Sequence, residues 1–198
     1  PSEKSSEAVD ISSSVEAQVQ PPLWIQFVPL KEKRRLELRW YVPSLLSSHR
    51  AKPDAYISHL LGHESRGSVL DVLKEEGLAA SLWADIDDEE HTSLCANFVV
   101  QVELTPSGLQ NSDRVVQIIL SGLGMLARSP PERWIFEELR DASVLNFEHL
   151  EAEQEIDYVR RLAISMQRPN VEPDATLSSE YLISEFMPTA IQDLLSKL

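Results

Sequence analysis

The stretch HLLGHESRGS, residues 59–68, places His59 and His63 four positions apart with Glu64 directly after the second histidine. These are the residue types of a hydrolytic zinc site. Catalytic zinc takes three protein ligands and keeps a separate carboxylate to receive the proton of the metal-bound water. In an HExxH arrangement that base follows the first histidine, but here Leu60 follows His59. In the inverted HxxEH arrangement a glutamate precedes the second histidine, but here Gly62 precedes His63. A second near miss, DDEEH at 87–91, has Glu90 and His91 in place and Asp87 where the first histidine would stand. The chain is therefore expected to carry no catalytic residue, no metal ligand set and no cofactor of its own.

Milder roles fit the same residues. One helical turn apart near a helix end, His59 and His63 read either as buried or capping histidines or as contacts for a bound peptide. Gly62 and Gly67 read as helix-terminating positions, and the acidic run DIDDEEH, residues 85–91, reads as a solvated hairpin tip.

A scaffold must position these groups, and alternating apolar side chains locate its sheet. In LELRWYV, residues 36–42, Leu36, Leu38, Trp40 and Val42 share one face, with Glu37, Arg39 and Tyr41 on the other. SLCANFVVQVEL, residues 93–104, repeats the pattern with Leu94, Ala96, Phe98, Val100, Val102 and Leu104. LWIQFV at 23–28 and ASLWADI at 80–86 are expected to complete a mainly antiparallel sheet with one buried face and one open to water. Cys95 falls on the open face, beside Asn97 and with no histidine two positions away, and reads as a quiet thiol. Helices supply the cover. A long one starts at Thr105 as cap and Pro106, with Val115, Val116, Ile119, Leu120, Leu123 and Leu126 at helical spacing. Another is opened by Ser129 and Glu132 in capping-box spacing, a third runs through IDYVRRLAISM at 156–166, and Pro188 parts two short ones near the end. The order predicts an α+β, two-layer domain, a mainly antiparallel sheet with helices packed on one face.

Composition bounds the rest. Residues 1–22 are rich in Ser, Glu and Gln and hold few large apolar groups, which predicts a flexible linker or tail; residues 23–198 suffice for one domain. The net charge of −14 excludes nucleic acid, whose phosphates need a basic stripe, since the single basic cluster is KEKRR at 31–35. Basic or amphipathic peptides are the partners this charge favours. No run of about eighteen apolar residues predicts a membrane span. One cysteine excludes an internal disulfide, leaves the compartment unknown, and suits a cytoplasmic or organellar setting better than a disulfide-rich secreted one.

YISHLLGHESRGSVLDVLKEEGLAASLWA, residues 56–84, resembles the segment Y-x-x-H-L-I-G-H-E-G-x-G-S-L-L-x-x-L-K-x-x-G-W of the insulin-degrading enzyme and pitrilysin (insulinase-like) zinc metallopeptidase family, in its second, middle, non-catalytic domain. VPLKEKRRLELRWYVP before it, and VELTPSGL and SSEYLISEFMP after it, fall in the family's order, so the resemblance covers residues 24–198 almost end to end. It implies four similar α+β domains in two halves around a peptide-sized chamber, with zinc held by HxxEH in the parent's preceding domain and the other domains of the same parent chain as partners. The opening residue, Pro1, suits a piece of such a longer chain. The resemblance also implies an exosite for the N-terminal end of peptide substrates, carried here by His59, Gly62, His63, Glu64 and Gly67 and by the edge-strand residues Leu82, Trp83, Ala84 and Asp85. Ser65-Arg66 stands where the family has Gly-x, and Ala84-Asp85 where it has a glycine pair; Arg66 opposes a terminal ammonium and Asp85 favours it. The alternative is a structural or binding domain of an inactive homologue or assembly subunit. Outside its shell such a domain exposes Trp83 and the LWI run, residues 23–25, and is expected to self-associate.

The purified chain should hold no stoichiometric zinc and hydrolyse no peptide. Metal analysis finding one tightly held zinc per chain, lost on replacing His59 or His63, is the contrary result.

Overall fold

Alternation over 36–42 and 93–104 does produce two strands of one sheet, in a computed structural model that describes residues 23–31, 33–168 and 170–198. The linker expected over 1–22 lies outside the described residues. The chain divides into two units, Pro1–Lys33 and Arg34–Leu198. The described part of the first contains no helix or strand, so the strand expected over 23–28 is absent. Its run is apolar in composition without alternation, and prolines at 21, 22 and 29 remove ladder donors at both ends.

In the second unit the strands are β1 (Arg35–Pro43), β2 (Ala79–Ile86) and β3 (Cys95–Leu104). They form one antiparallel sheet in the order β1-β3-β2. The helices are α1 (Pro53–Gly62), α2 (Val69–Glu75), α3 (Pro106–Gln110), α4 (Ser112–Arg128), α5 (Arg133–Glu148), α6 (Glu155–Ser165) and α7 (Pro188–Leu195). This is the α+β arrangement that the sequence predicts. Val42, Leu82, Ala84, Ile86, Phe98, Val100 and Val102 from the sheet join Ile57 and Leu61 of α1, Leu70 and Leu73 of α2, Ile119 and Leu123 of α4 and Ile191 of α7 in one core. The opposite face is not wholly wet: Val99, with Arg39 and Asp85 in register on either side, is only 3% exposed.

Three helix expectations are corrected. The helix expected to run unbroken from Thr105 divides at Asn111, whose side-chain amide donates to the Ser107 carbonyl (2.8 Å) and competes with the helical ladder. Thr105 does cap its start, accepting from the Gly108 N–H at 3.0 Å. The capping box of Ser129 and Glu132 does not form. Ser129 bonds back to the Met125 carbonyl (3.1 Å), and Glu132 donates its N–H to the Tyr56 hydroxyl (2.8 Å), because Pro130-Pro131 part the two residues. Only one helix, α7, borders Pro188. Proline pushes Met187 out of the helical region (φ −119°, ψ 83°), and the preceding segment is held extended by Ser184 and Glu185 N–H donating to the Arg50 carbonyl at 2.8 and 3.0 Å.

Close approach of backbones fixes α3 against the turn before β2. A Cβ on Gly108 would lie 1.8 Å from the Leu78 carbonyl oxygen, which accepts from the Thr105 N–H at 3.0 Å. Gly108→Ala should therefore cost about 2 kcal/mol or more, read from the urea midpoint. Gly62→Ala, where nothing lies within 4 Å, should be neutral or slightly stabilising.

Candidate functional site

The turn between α1 and α2 is built by local bonds. His63 leaves the helical conformation (φ −63°, ψ 137°) and its Nδ1 accepts from the Ser65 N–H at 3.1 Å. That bond puts the ring proton on Nε2, an exposed donor. His59 meets His63 edge-on, with ring centroids 5.4 Å apart, and burial, reinforced by His63, holds the His59 imidazole below its ordinary range. Glu64 faces Lys74 of α2 at 3.6 Å. Gly67 takes φ +84°, which a side chain would resist, and its N–H donates to Asp71 Oδ2 (2.7 Å) while the Ser68 hydroxyl accepts from the Asp71 N–H (3.1 Å). Ser68 and Asp71 thus cap α2, a signal present in the sequence as Ser-x-x-Asp and missed there. At His63 only the Nδ1 lone pair is engaged, by the Ser65 N–H. Among the described residues no three His, Cys, Asp or Glu side chains share a site that could hold a metal.

The second expected segment, Leu82–Asp85, lies in β2 at the edge of the sheet. The Asp87 N–H donates to the Asn97 carbonyl at 2.9 Å, so these two form a hydrogen-bonded pair. Bonded pairs alternate along an antiparallel ladder, and the register Asp85↔Val99, Trp83↔Gln101, Ser81↔Glu103 then turns the backbone of Ser81, Trp83 and Asp85 towards β3. Leu82, Ala84 and Ile86 point theirs outward. Among the described residues the outward N–H groups of Leu82 and Ala84 meet no acceptor, whereas Ile86 donates to Asp85 Oδ1 at 2.8 Å. Side chains follow the opposite parity: Leu82 and Ala84 are buried, Asp85 is half-buried, and Trp83 stands 49% exposed on the open face.

What relates the two segments is α1, packed along β2. Asp54, in its first turn, is electrostatically coupled to Asp85, so the start of α1 lies by the end of β2. Glu64 faces Lys74, three residues before the Gly77 turn that leads into β2, so the His63–Ser68 turn lies by the start of the strand. The expected site residues are thus brought to one strand but to opposite ends of it. Burial and then Asp85 push the half-buried Asp54 carboxyl up to about 6. Burial, with Asp88 adding to it, raises Asp85 as well. Lys52, in a left-handed conformation (φ +40°) and donating to the Glu180 carbonyl, is pushed down to about 8 by burial, which Asp54 partly opposes. Sequence reading missed Lys52 and Asp54, because Lys-Pro-Asp reads there only as a helix start. The hairpin tip at Asp88–Glu90 is present as expected, but Glu90 folds back to Arg39 (2.8 Å) and Asn97 (2.5 Å). His91 Nε2 accepts from the Leu45 N–H at 3.2 Å, a structural role.

Residues 3–143 match the family described as the peptidase M16 inactive domain. The chain is 33% identical over 181 residues to a nardilysin-like protein of Arabidopsis thaliana, covering 88% of this chain and 18% of that protein. It is 32% identical over 174 residues to an insulin-degrading enzyme of Drosophila melanogaster, covering 88% and 17%. Among solved structures, pitrilysin superposes with a TM-score of 0.79 at 26% identity, over 85% of this chain and 18% of that one. The chain therefore spans less than a fifth of the length of these relatives. No helix among the described residues is long and apolar enough to cross a membrane.

The raised Asp54 gives a pH signature. An ordinary Asp titrates near 3.8, so between about pH 4 and 6 the folded state binds more protons than the unfolded chain, and stability falls as pH rises through that window. Asp54→Asn should match the parent near pH 4 and exceed it by about 1–3 kcal/mol at neutral pH, read from urea midpoints. A parent that gains on the variant towards neutral pH would contradict this.

Proposed function

Because the chain belongs to the peptidase M16 inactive-domain family, we propose that it serves an insulinase-like zinc metalloendopeptidase as a non-catalytic domain, forming part of a peptide-enclosing chamber and an exosite that anchors the N-terminal end of peptide substrates. In this reading the zinc belongs to the parent's preceding domain and the chemistry is done there. The observation that carries it is the outer edge of β2, where Leu82 and Ala84 offer backbone groups to an extended chain. Such an edge accepts a peptide as one more strand through main-chain bonds that ignore side-chain identity, which suits a domain handling varied substrates.

Charge favours one direction of addition. A strand antiparallel to β2 brings its amino terminus to the end where Asp54, Asp85 and Asp88 outnumber the nearby cations Lys52 and Arg168. A parallel strand brings it to the turn, where Glu64 is engaged by Lys74 and Arg66 is exposed. An ammonium is attracted to the first and opposed at the second. Trp83, exposed on the open face, supplies apolar surface beside the incoming strand. Anchoring one end here raises the local concentration of the scissile bond at a distant metal.

Alone, the edge should bind weakly, with a Kd of about 0.1 to 1 mM, because strand addition orders a flexible peptide without a second anchor. Ala84→Pro removes one outward N–H and spares the bonds to β3. It should weaken binding of a free-amine, Thr-Val repeat peptide about tenfold or more by titration, as should acetylation of that peptide on the unmodified chain. Binding that survives both changes would contradict the reading.

A further inference from the structure

The outer edge of β2 is not open along its whole length. Three of its residues turn their N–H groups outward by the parity of the ladder, Leu82, Ala84 and Ile86, and the third is already taken. Asp85, whose own backbone bonds inward to β3, sends its carboxylate around the strand so that Oδ1 accepts from the Ile86 N–H at 2.8 Å. A side chain doing this occupies the place where the next carbonyl of an added strand would sit. The strand also ends there, at Ile86, and the chain turns through Asp88–Glu90.

We propose that Asp85 is a register stop: its carboxylate closes the β2 edge after Ala84, so that an added peptide can pair with Leu82 and Ala84 but not with Ile86, and must present its end there. This rests on the strand-addition reading above and adds a constraint to it. A segment that continues as a paired strand past Ile86 loses that bond, while a peptide whose amino terminus falls beside Asp85 fits without loss. The free oxygen, Oδ2, then faces the terminal ammonium. The substrate class selected is therefore the peptide with a free, extended amino terminus, and the selectivity comes from a blocked hydrogen bond as well as from charge.

Amide hydrogen exchange of the chain, read residue by residue by NMR with and without a free-amine Thr-Val repeat peptide, separates the two ideas. In the parent, the peptide should slow exchange at Leu82 and Ala84 by about tenfold or more and leave Ile86 unchanged. In Asp85→Ala, Ile86 should exchange faster without peptide and join Leu82 and Ala84 in being slowed with it. Asp85→Asn keeps an oxygen acceptor without the charge and should leave Ile86 unaffected by peptide, as in the parent, while lessening the slowing at Leu82 and Ala84, which separates the cap from electrostatic attraction. A melting curve on each variant confirms that it folds. Slowing at Ile86 in the parent, or an Asp85→Ala chain whose Ile86 ignores the peptide while Leu82 and Ala84 respond, overturns the register stop and leaves strand addition standing. No slowing at any of the three overturns both.

Discussion

β3 is paired on both sides, and that constraint organises everything around it. Ala96, Phe98, Val100, Val102 and Leu104 bury their side chains on the helical face. Their backbones turn to β1, as the Leu104 N–H donating to the Arg34 carbonyl (2.8 Å) shows, while Asn97 takes the bond from Asp87 on the β2 side. Once that parity is set, β2 has no freedom left. Its apolar residues Leu82, Ala84 and Ile86 must face the core, and the same residues must offer their N–H and C=O groups to the outside of the sheet. A core-facing pattern of side chains and an outward-facing row of backbone groups are one arrangement seen from two directions. The candidate site is therefore a by-product of the fold's main packing decision.

Electrostatics then differentiates the two ends of that row. Along β2 the helix α1 brings Asp54 to Asp85, and two carboxyls that share a poorly solvated corner both titrate high. Lys52 is close enough to matter but is itself held down by burial and committed to the Glu180 carbonyl. The corner thus mixes signs: Lys52 and, near it, Arg168 stand among Asp54, Asp85 and Asp88. At the other end the turn is self-satisfied: Ser65 donates to His63, Gly67 donates to Asp71, and Glu64 faces Lys74. His59 and His63, the residues that first suggested metal chemistry, hold this turn in shape.

Much of the fold was legible in the sequence. β1 and β3 announced themselves because two-residue alternation over seven or more residues has no helical reading, and Thr105 with Pro106 announced a helix start that is there. The failures have local causes. Residues 23–28 have strand composition without strand periodicity, Asn111 breaks a helix that its apolar stripe would have continued, and two prolines separate Ser129 from the helix that starts at Arg133. The site was legible in part. Its residues came from a resemblance carried by the segment around His59–Ser68 and by Leu82–Asp85. Which backbone groups of β2 face outward follows from its side-chain alternation only once the sheet order makes β2 an edge, and that order is tertiary. The meeting of Lys52, Asp54 and Asp85 is tertiary, between residues that sequence places far apart, and nothing in Lys-Pro-Asp signals it.

The most direct measurement is a crystal structure of the chain grown with a free-amine extended peptide. The peptide is expected as a fourth strand antiparallel to β2, bonded to Leu82 and Ala84, with its amino nitrogen at salt-bridge distance from Asp85 or Asp54. A peptide seated instead on the helical face, or an edge of β2 left empty at saturating peptide, would contradict strand addition as the way this domain holds its ligand.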